Sequence, residues 1–378
     1  MRRILLINLL ILSVFASVSY WTAQKEKLEA AMGSGMETVL EGGEEFSAAE
    51  SDMEDDREEV REEADDFIKW VDFDVSKFAL TEAYEYDRDT YGTSDHISWI
   101  DLLAWTAAYT GGVFDNDRTV YSCMTELEEQ IAAGEELGNL TAELPYFSYY
   151  QEAYTAVLGG MVGEYEIEET DEDGKVTMVK KYGLKAFHPI AKGFPYTDYD
   201  DFGVSRSYGY ERQHLGHDLM GQTGTPVIAV ESGYVEALGW NQYGGWRIGI
   251  RSFDGLRYYY YAHLRQGFPY QPDLEEGSVV LAGDVIGYMG HTGYSAQEDT
   301  NNIDETHLHF GMQLIFDESQ KEGNGEIWID CYQIVGFLYR QQSEVERDDE
   351  TKVWRRVWQM KDPAAEAYER TRDFSMYP

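Results

Sequence analysis

Apolar residues between positions 67 and 162 recur at the three- and four-residue spacing of amphipathic helices. Polar capping residues and glycine bound three such segments, as they commonly bound helices. The predicted helices run from Ser94 or Asp95 to Gly111-Gly112, from Thr119 to Ala133 and from Tyr149 to Leu158. Residues 67–162 are therefore expected to form a small helical domain, and their aromatic and aliphatic stripe is more typical of a core than of a binding groove.

Beyond residue 184 the pattern changes to short apolar segments broken by glycine, which is typical of β-strands. Asp254-Gly255 separates residues 246–252 from residues 256–263 and predicts a β-hairpin. Because side chains alternate along a strand, the odd-numbered residues of the second strand share one face: Arg257, Tyr259, Tyr261 and His263. The tyrosines on this face are expected either to line a groove or to form an exposed ladder that stabilises the sheet.

Two further segments flank the β-rich region. Asp173-Gly174 predicts a turn between short strands, so residues 163–184 are expected to form a hairpin that connects the helical domain to residues 185–340. Residues 326–340 are expected to add a strand or a helix to this β-domain. The charged tail, residues 341–378, is predicted to be helical and peripheral.

The N-terminus carries an apolar run from Ile4 to Trp21 behind Arg2 and Arg3. Its length of about 18 residues just reaches membrane-spanning length and exceeds the core of a usual signal peptide, about 7–15 residues. The two arginines are expected to stay in the cytoplasm, which places the rest of the chain outside. Residues 1–25 are predicted to be an uncleaved signal-anchor in the cell membrane; the alternative is a secreted protein cleaved near Ala16-Ser17-Val18.

Much of the formal net charge of −41 lies between Glu41 and Asp66, which contain about fourteen acidic residues. Such a run lacks the apolar surface to fold alone, so residues 26–66 are expected to form an extended acidic linker. The alternative is a charged coil that leads into a helix near Phe67 to Val71. The charge argues against nucleic-acid binding, which requires a basic surface.

Histidine and aspartate form three ordered motifs in the β-rich region: His214-x-x-x-Asp218, Tyr261-x-His263 and His307-x-His309. Even spacings would put both members of a pair on one face of a β-strand, and His307 and His309 would lie about 6.6 Å apart along it. A zinc hydrolase needs three protein ligands and one open position for water. Two imidazoles and one carboxylate can supply that set and leave other histidines to transfer protons.

The motifs and the glycine-rich segments around them resemble the lysostaphin-type zinc endopeptidases, which cut peptide cross-links in bacterial cell walls. The matching segments around the motifs are residues 224–233, 243–245, 282–287 and 290–293. The resemblance covers residues 185–340 and implies a zinc peptidase domain there. The predicted fold is therefore α+β and multidomain, with an N-terminal membrane anchor, a small helical domain and a C-terminal antiparallel β-sheet metallopeptidase domain.

The resemblance also implies roles for individual residues. The residues implied to bind one zinc ion per chain are His214, Asp218 and His309. His263 and His307 would be catalytic histidines beside the metal, with the division of their roles left open. Tyr208 matches a tyrosine that in some members helps to stabilise the tetrahedral intermediate, although Tyr210 is an alternative.

The remaining histidines lie outside this pattern. His217 has odd parity relative to both His214 and Asp218, so on a strand it is expected to face away from a metal. The residues expected to be structural or solvated are His96, His188, His217 and His291.

The leading hypothesis is a membrane-tethered zinc endopeptidase that hydrolyses peptidoglycan peptides with a metal-activated water. The alternative is a catalytically silent member of the same fold that serves as a scaffold or activates other wall hydrolases. A lipoyl- or biotinyl-type carrier is excluded because it needs a modifiable lysine, and none occurs between Lys192 and Lys321. The helical domain could dock a protein partner, and the loops at residues 266–276 and 296–305 are expected to select the cross-link that is cleaved.

Overall fold

The computed structural model describes residues 68–207, 211–321 and 325–375, which belong to one compact unit. Within these ranges no helix is both long and apolar enough to cross a membrane. The predicted anchor at Ile4 to Trp21 and the acidic linker of residues 26–66 lie outside the described residues. Membrane attachment of this chain therefore stays a prediction.

A helical region opens the described part of the chain. Its helices are α1 (Lys77–Thr90), α2 (Trp99–Thr110), α3 (Asp117–Ala132), α4 (Leu137–Thr141) and α5 (Phe147–Leu158). The three helices predicted from residue spacing are confirmed as α2, α3 and α5. The start of α2 is later than expected because Ser98 caps it, accepting a hydrogen bond from the main-chain N–H of Asp101 at 3.1 Å. Residues 68–71 are not helical, so the alternative interpretation of a helix there is wrong.

A hairpin and a series of short strands follow the helices. The hairpin predicted around Asp173-Gly174 is confirmed as β1 (Val162–Thr170) and β2 (Val176–Leu184). The strands after it are β3 (Thr197–Asp198), β4 (Ser205–Ser207), β5 (Glu211–Gln213), β6 (His217–Met220), β7 (Pro226–Ile228), β8 (Gly233–Asn241), β9 (Gly245–Ser252), β10 (Arg257–Ala262), β11 (Val279–Val280), β12 (Val285–Tyr288), β13 (His307–Leu314) and β14 (Ile327–Ile329).

The main sheet is antiparallel and runs in the order β11-β8-β9-β10-β13-β6-β3, with β14 also paired to β13. The hairpin predicted around Asp254-Gly255 is β9–β10, and the predicted C-terminal antiparallel β-sheet is confirmed. One face of this sheet packs on the core, with buried side chains that include Leu308, Phe310, Met312, Tyr259 and Tyr261. On the other face, His309 lies directly opposite Ala262 of β10 and Asp218 of β6.

The expectation that Tyr259 and Tyr261 line a groove or form an exposed ladder is wrong, because their face of β10 is covered. The Tyr259 hydroxyl donates a hydrogen bond to the Glu231 carboxylate at 2.6 Å. The Tyr261 hydroxyl accepts one from the main-chain N–H of Val230 at 2.9 Å. Both rings are buried in the core and hold the segment before β8 against the sheet.

Arg257, on the same face of β10, joins the sheet to the helical region. Its side chain is 1% exposed and pairs with Glu231 (Nε to Oε2, 2.8 Å) and Asp254 (Nη2 to Oδ2, 2.6 Å). Its Nη1 donates to the main-chain oxygens of Ala156 at 2.8 Å and Thr155 at 3.3 Å, close to the end of α5. Two carboxylates and the negative end of a helix dipole therefore compensate one buried guanidinium.

The C-terminal part of the chain mixes helices and strands. Its elements are α6 (Tyr332–Leu338), β15 (Val345–Arg347), β16 (Trp354–Arg356), β17 (Met360–Lys361) and α7 (Pro363–Ser375). The prediction of a helical tail is wrong for residues 345–361. Asp348 accepts a hydrogen bond from the main-chain N–H of Glu350 at 3.0 Å and closes a turn. Met360 pairs with Ile167 of β1, so a sheet edge determines the conformation there.

His188 is a buried residue whose protonation should affect stability. The main-chain N–H of Ile190 donates to its Nδ1 at 3.1 Å, and its Nε2 lies 3.0 Å from the Tyr196 hydroxyl. Burial lowers the pKa of His188 from 6.5 to about 4, so between these values the unfolded chain binds a proton that the folded chain does not. The stability that neutral His188 contributes is complete above pH 6.5 and falls as the pH drops toward 4.

When the pH falls from 7 to 5, we expect the titration of His188 alone to lower the free energy of unfolding by about 2 kcal/mol. A His188→Gln variant lacks this proton-binding group and should show a correspondingly smaller loss of stability over the same interval. Urea titrations of both proteins at the two pH values measure the difference. Equal pH dependence in the two proteins would mean that His188 titrates normally in the folded chain.

Candidate metal centre

Strand pairing and one tight connection bring the predicted metal ligands together. His309 on β13 lies opposite Asp218 on β6. His214 lies in the connection between β5 and β6, so the expectation that His214 and Asp218 share one strand is wrong. Gly216 allows this connection to approach β13, because a Cβ there would lie 2.6 Å from the His309 ring.

The three side chains present one atom each to a common point. His214 Nε2 lies 3.1 Å from Asp218 Oδ1 and 3.0 Å from His309 Nδ1, and the latter two atoms are 2.9 Å apart. His214 and Asp218 are buried, whereas the His309 side chain is 16% exposed. The cluster is therefore closed on the side of His214 and accessible to solvent on the side of His309.

Two residues outside the predicted motifs contact this cluster. Asp201 faces the other ring nitrogen of His214, whose Nδ1 lies 3.2 Å from the main-chain oxygen and 3.1 Å from Oδ1 of Asp201. Arg206 Nη1 donates a hydrogen bond to Asp218 Oδ2 at 2.7 Å, and Arg206 Nη2 contacts Asp201 Oδ2. Their position shortly before His214 is the one feature of the sequence that could have indicated them.

The donor set fits a zinc ion. Carbonyl and carboxylate oxygens accept hydrogen bonds, so His214 Nδ1 carries the proton and Nε2 keeps its lone pair. Zinc–ligand bonds of about 2.0–2.1 Å at tetrahedral angles separate ligand atoms by about 3.3 Å. The ligand atoms in this cluster lie 2.9–3.1 Å apart, close to that separation. Among the described residues, His214, Asp218 and His309 are the group able to hold a metal ion.

Electrostatics favours an ionised Asp218 and a neutral His309 in the cluster. Burial alone would raise the pKa of Asp218, but the neighbouring imidazoles of His214, His309 and His307 hold this pKa well below its usual range. Burial lowers the pKa of His309, although the neighbouring carboxylate opposes the effect. These protonation states are the ones in which Asp218 and His309 can bind a metal.

His263 reaches the cluster through a left-handed backbone conformation. Strand alternation would place it with Tyr261 on the core face, but its φ of 61° breaks the alternation. Its ring centroid lies 4.7 Å from that of His307 and 5.8 Å from that of His309, and its Nδ1 is 2.9 Å from the main-chain oxygen of Thr292. Burial, reinforced by the neighbouring imidazoles, lowers the pKa of His263 well below the usual value.

His307 is the second imidazole beside the cluster. Its Nδ1 lies 2.9 Å from the main-chain oxygen of Glu305, and its Nε2 lies 3.7 Å from Asp218 Oδ2. Because main-chain oxygens only accept hydrogen bonds, His263 and His307 both carry their proton on Nδ1 when neutral. Each therefore keeps a lone pair on Nε2 and can accept a proton there.

The predicted catalytic tyrosine, Tyr208, and its alternative Tyr210 lie outside the described residues. Tyr260 and Trp328 are aromatic neighbours of the cluster that the sequence did not indicate. The ring centroids of Tyr260 and His309 are 6.0 Å apart, and those of Tyr260 and Trp328 are 6.2 Å apart. Tyr260 is an even-numbered residue of β10, and the side chains at even positions of this strand face the cluster. The alternation along β10 could therefore have identified Tyr260 if the odd-numbered face had been recognised as the core face.

The remaining histidines have partners outside the cluster, as predicted. Each pairs a ring nitrogen with an oxygen: His217 with Asp198 (3.0 Å), His96 with Asp87 (2.8 Å) and His291 with the main chain of Ile303 (2.8 Å). His217 faces away from the cluster because it lies opposite Phe310, on the core face of the sheet. The fourth, His188, is buried in the contacts described above.

Asp299 ties together the two loops predicted to select the substrate. Its Oδ1 accepts hydrogen bonds from the Trp246 indole and from the main-chain N–H of Gly267, both at 2.8 Å. The loop that carries Asp299 also contains Glu305, whose main-chain oxygen holds His307. The two loops therefore form one connected border beside the candidate catalytic histidines.

Residues 212–322 match Peptidase family M23. This segment contains every residue of the three histidine motifs. The chain therefore carries an M23 peptidase domain, homologous to lysostaphin-type glycyl-glycine endopeptidases and to L-Ala–D-Glu endopeptidases. The resemblance inferred from the motifs is confirmed.

Individual relatives match a limited part of the chain. The L-Ala--D-Glu endopeptidase of Bacillus subtilis (strain 168) is 40% identical over 124 residues, which are 33% of this chain and 36% of that protein. Lysostaphin of Staphylococcus simulans is 35% identical over 120 residues, 32% of this chain and 20% of that protein. This chain thus spans about a third of the length of the first relative and a fifth of the length of the second. A crystal structure of a candidate glycyl-glycine endopeptidase lytM from Ruminococcus gnavus ATCC 29149 is 25% identical, with a TM-score of 0.45 over 71% of this chain and 89% of that one.

Proposed function

We propose that this protein is a zinc-dependent endopeptidase that hydrolyses peptide bonds in bacterial peptidoglycan. The observation that carries the proposal is the approach of His214, Asp218 and His309, whose ligand atoms lie 2.9–3.1 Å apart. Two further buried imidazoles, His263 and His307, adjoin the cluster. The M23 domain supports the class of reaction, and the homologous endopeptidases support peptides of the cell wall as the class of substrate.

Each side chain has a chemical role in this proposal. When bound, zinc supplies a Lewis acid that polarises the scissile carbonyl and lowers the pKa of a water molecule. His263 or His307 accepts a proton at Nε2 and later returns one to the leaving amine. The hydrogen bond to the oxyanion would come from the other histidine, once it carries a proton on Nε2 as well as on Nδ1, or from Tyr208. Main-chain oxygens of Thr292 and Glu305 fix the tautomers that these transfers require.

The substrate is expected to approach on the side of His309, which is the exposed ligand of the cluster. Tyr260 and Trp328 border this side and offer aromatic surface to an extended peptide. The loops joined by Asp299 border the histidines. We expect these two borders to determine which peptide bond reaches the metal.

Removal of the metal should abolish hydrolysis. Purified full-length protein should release new peptide termini from peptidoglycan fragments that contain L-Ala–D-Glu bonds or glycine bridges, as detected by mass spectrometry. Treatment with 1,10-phenanthroline should reduce the rate to background, because the cluster alone cannot activate water. Addition of Zn²⁺ after removal of the chelator should restore the rate.

Two results would argue against this function. Full-rate cleavage by protein that metal analysis shows to be metal-free would contradict the role of zinc. Zinc-loaded protein that binds peptidoglycan but cleaves none of the fragments would favour a non-catalytic scaffold. Chelator supplied together with excess Zn²⁺ is the matched control, because it exposes the protein to the same compound without removing the metal.

A further inference from the structure

Asp201 and Arg206 close a ring with two of the proposed zinc ligands. The ring runs from Arg206 to Asp218, to His214, to Asp201 and back to Arg206. Asp201 and Arg206 precede residues 212–322, the segment that matches the M23 family. The motif therefore does not account for these two residues, and their role has to be inferred from their contacts.

The ring divides the two oxygens of Asp218 between different partners. Oδ2 accepts a hydrogen bond from Arg206 Nη1 at 2.7 Å. Oδ1 faces His214 Nε2 at 3.1 Å and His309 Nδ1 at 2.9 Å. The Asp218 side chain is 9% exposed and that of Arg206 is 25% exposed, so the charge-assisted hydrogen bond is partly shielded from water. One oxygen is thus committed to the guanidinium and the other to the metal cluster.

The same ring fixes the orientation of His214. Its Nδ1–H donates a hydrogen bond to the main-chain oxygen of Asp201 at 3.2 Å, and Oδ1 of the same residue lies 3.1 Å from Nδ1 without accepting a hydrogen bond. The second guanidinium nitrogen of Arg206 holds the Asp201 carboxylate in that position. The planar guanidinium of one arginine therefore contacts both Asp218, a proposed ligand, and the Asp201 carboxylate, which lies beside the other buried ligand, His214.

We propose that Arg206 and Asp201 are positioning residues for the zinc centre. Arg206 keeps Asp218 a ligand through Oδ1 alone, and Asp201 keeps His214 in the tautomer with a lone pair on Nε2. A carboxylate that used both oxygens would occupy the position that a catalytic zinc site leaves open for water. This inference rests on the proposed function, since it concerns the same metal centre.

The location of Arg206 separates this role from a general contribution to folding. Arg206 lies in β4, which forms a two-stranded sheet with β5 and is not a strand of the main sheet. The pairing of β6 with β13, which brings Asp218 to His309, does not use β4. Loss of the Arg206 side chain should therefore alter the ligands while the main sheet stays folded.

Zinc affinity of full-length variants tests the proposal without reference to activity. Competition with a chromophoric chelator should show that Arg206→Met binds zinc about 10–100-fold more weakly than the unmodified protein. Arg206→Lys should recover part of this loss, because an ammonium group keeps the charge but cannot bridge both carboxylates. Asp201→Asn should have a smaller effect than Arg206→Met, because the main-chain oxygen at position 201 still accepts from His214.

Cobalt(II) in place of zinc gives a spectroscopic readout of the carboxylate. If Asp218 begins to use both oxygens, the coordination number rises and the visible absorption of Co²⁺ weakens. We expect weaker absorption in Arg206→Met and an intermediate spectrum in Arg206→Lys. Arg340→Met is the control, because it removes a guanidinium that pairs with Glu85 of α1 at 3.2 Å and should leave affinity and spectrum unchanged.

The outcomes distinguish this inference from the proposed function. Unchanged zinc affinity and an unchanged Co²⁺ spectrum in Arg206→Met would overturn the inference and leave the zinc peptidase proposal intact. Failure of the unmodified protein to bind zinc would overturn the proposed function itself. Thermal unfolding of the metal-free proteins verifies that each variant folds. If Arg206→Met does not fold, the other two variants carry the test: unchanged zinc affinity in both Arg206→Lys and Asp201→Asn would overturn the inference.

Discussion

Asp218→Ala is expected to lose zinc and all hydrolytic activity. The substitution removes the one carboxylate of the cluster, whose Oδ1 lies within 3.1 Å of both ligand imidazoles. It also removes one of the two carboxylates that pair with Arg206, and the less compensated guanidinium beside the site disfavours a divalent cation. Metal analysis of the purified variant should show a fall from about one zinc equivalent per chain to near zero.

Asp198→Ala is the matched control for this experiment. Asp198 contacts His217 at 3.0 Å, so the variant also removes a carboxylate from a histidine. His217 lies on the core face of β6, away from the cluster, and zinc content should therefore stay at the level of the unmodified protein. Full zinc occupancy in Asp218→Ala would show that Asp218 is not a ligand.

His263→Asn and His307→Ala should keep zinc but reduce kcat/KM by about 10²–10⁴-fold each, because they remove groups that transfer protons. Asparagine is the better replacement at position 263, since the backbone there has a φ of 61° and asparagine tolerates this region more readily than alanine. Metal analysis and the mass-spectrometric peptide assay, applied to the same preparations, separate binding from catalysis.

His291→Ala provides the comparison, because its Nδ1 is also held by a main-chain oxygen, that of Ile303 at 2.8 Å, yet it does not adjoin the cluster. This variant should retain most of the activity. If His263→Asn or His307→Ala loses zinc as fully as His309→Ala does, the division between ligands and proton-transfer residues is wrong. Near-normal activity in both variants would contradict the mechanism.

The candidate metal centre could be predicted from the sequence because the chemistry of a zinc hydrolase restricts residue type and order. Zinc hydrolysis requires neutral imidazoles, a carboxylate and a proton acceptor, and few other side chains can replace them. His307-x-His309 also keeps its parity on β13, so the strand rule places both on the face that carries Asp218. Motif and alternation together were sufficient for this part of the site.

The rest of the site depends on geometry that alternation does not describe. His214 lies in a connection, and His263 reaches the cluster through a left-handed φ. Both depart from the strand alternation expected for them, although the family resemblance implied their roles. Arg206 and Asp201 belong to none of the three motifs, and many polar residues could occupy the segment before His214. Only the folded chain places both within hydrogen-bond distance of the cluster.

Which face of β10 forms the core could not be deduced from β10 itself. Both parities of this strand carry tyrosines, so hydrophobicity does not distinguish the two faces. Contacts with Glu231 and Val230, remote along the chain, bury Tyr259 and Tyr261 instead of Tyr260. The strands of residues 345–361 were missed for a related reason, since β17 is defined by its pairing with β1.

The contact between Arg257 and the end of α5 limits how this M23 domain could be exchanged with those of other proteins. A graft that exchanged only residues 212–322 would replace Arg257 and Glu231. The main-chain oxygens of Thr155 and Ala156 would then lose the guanidinium that donates hydrogen bonds to them. Excision of the same segment would expose the guanidinium on the side where the helix now covers it. The exchangeable module is therefore larger than the segment that matches the M23 family, and folded chimaeras should need the helices to be transferred together with the sheet.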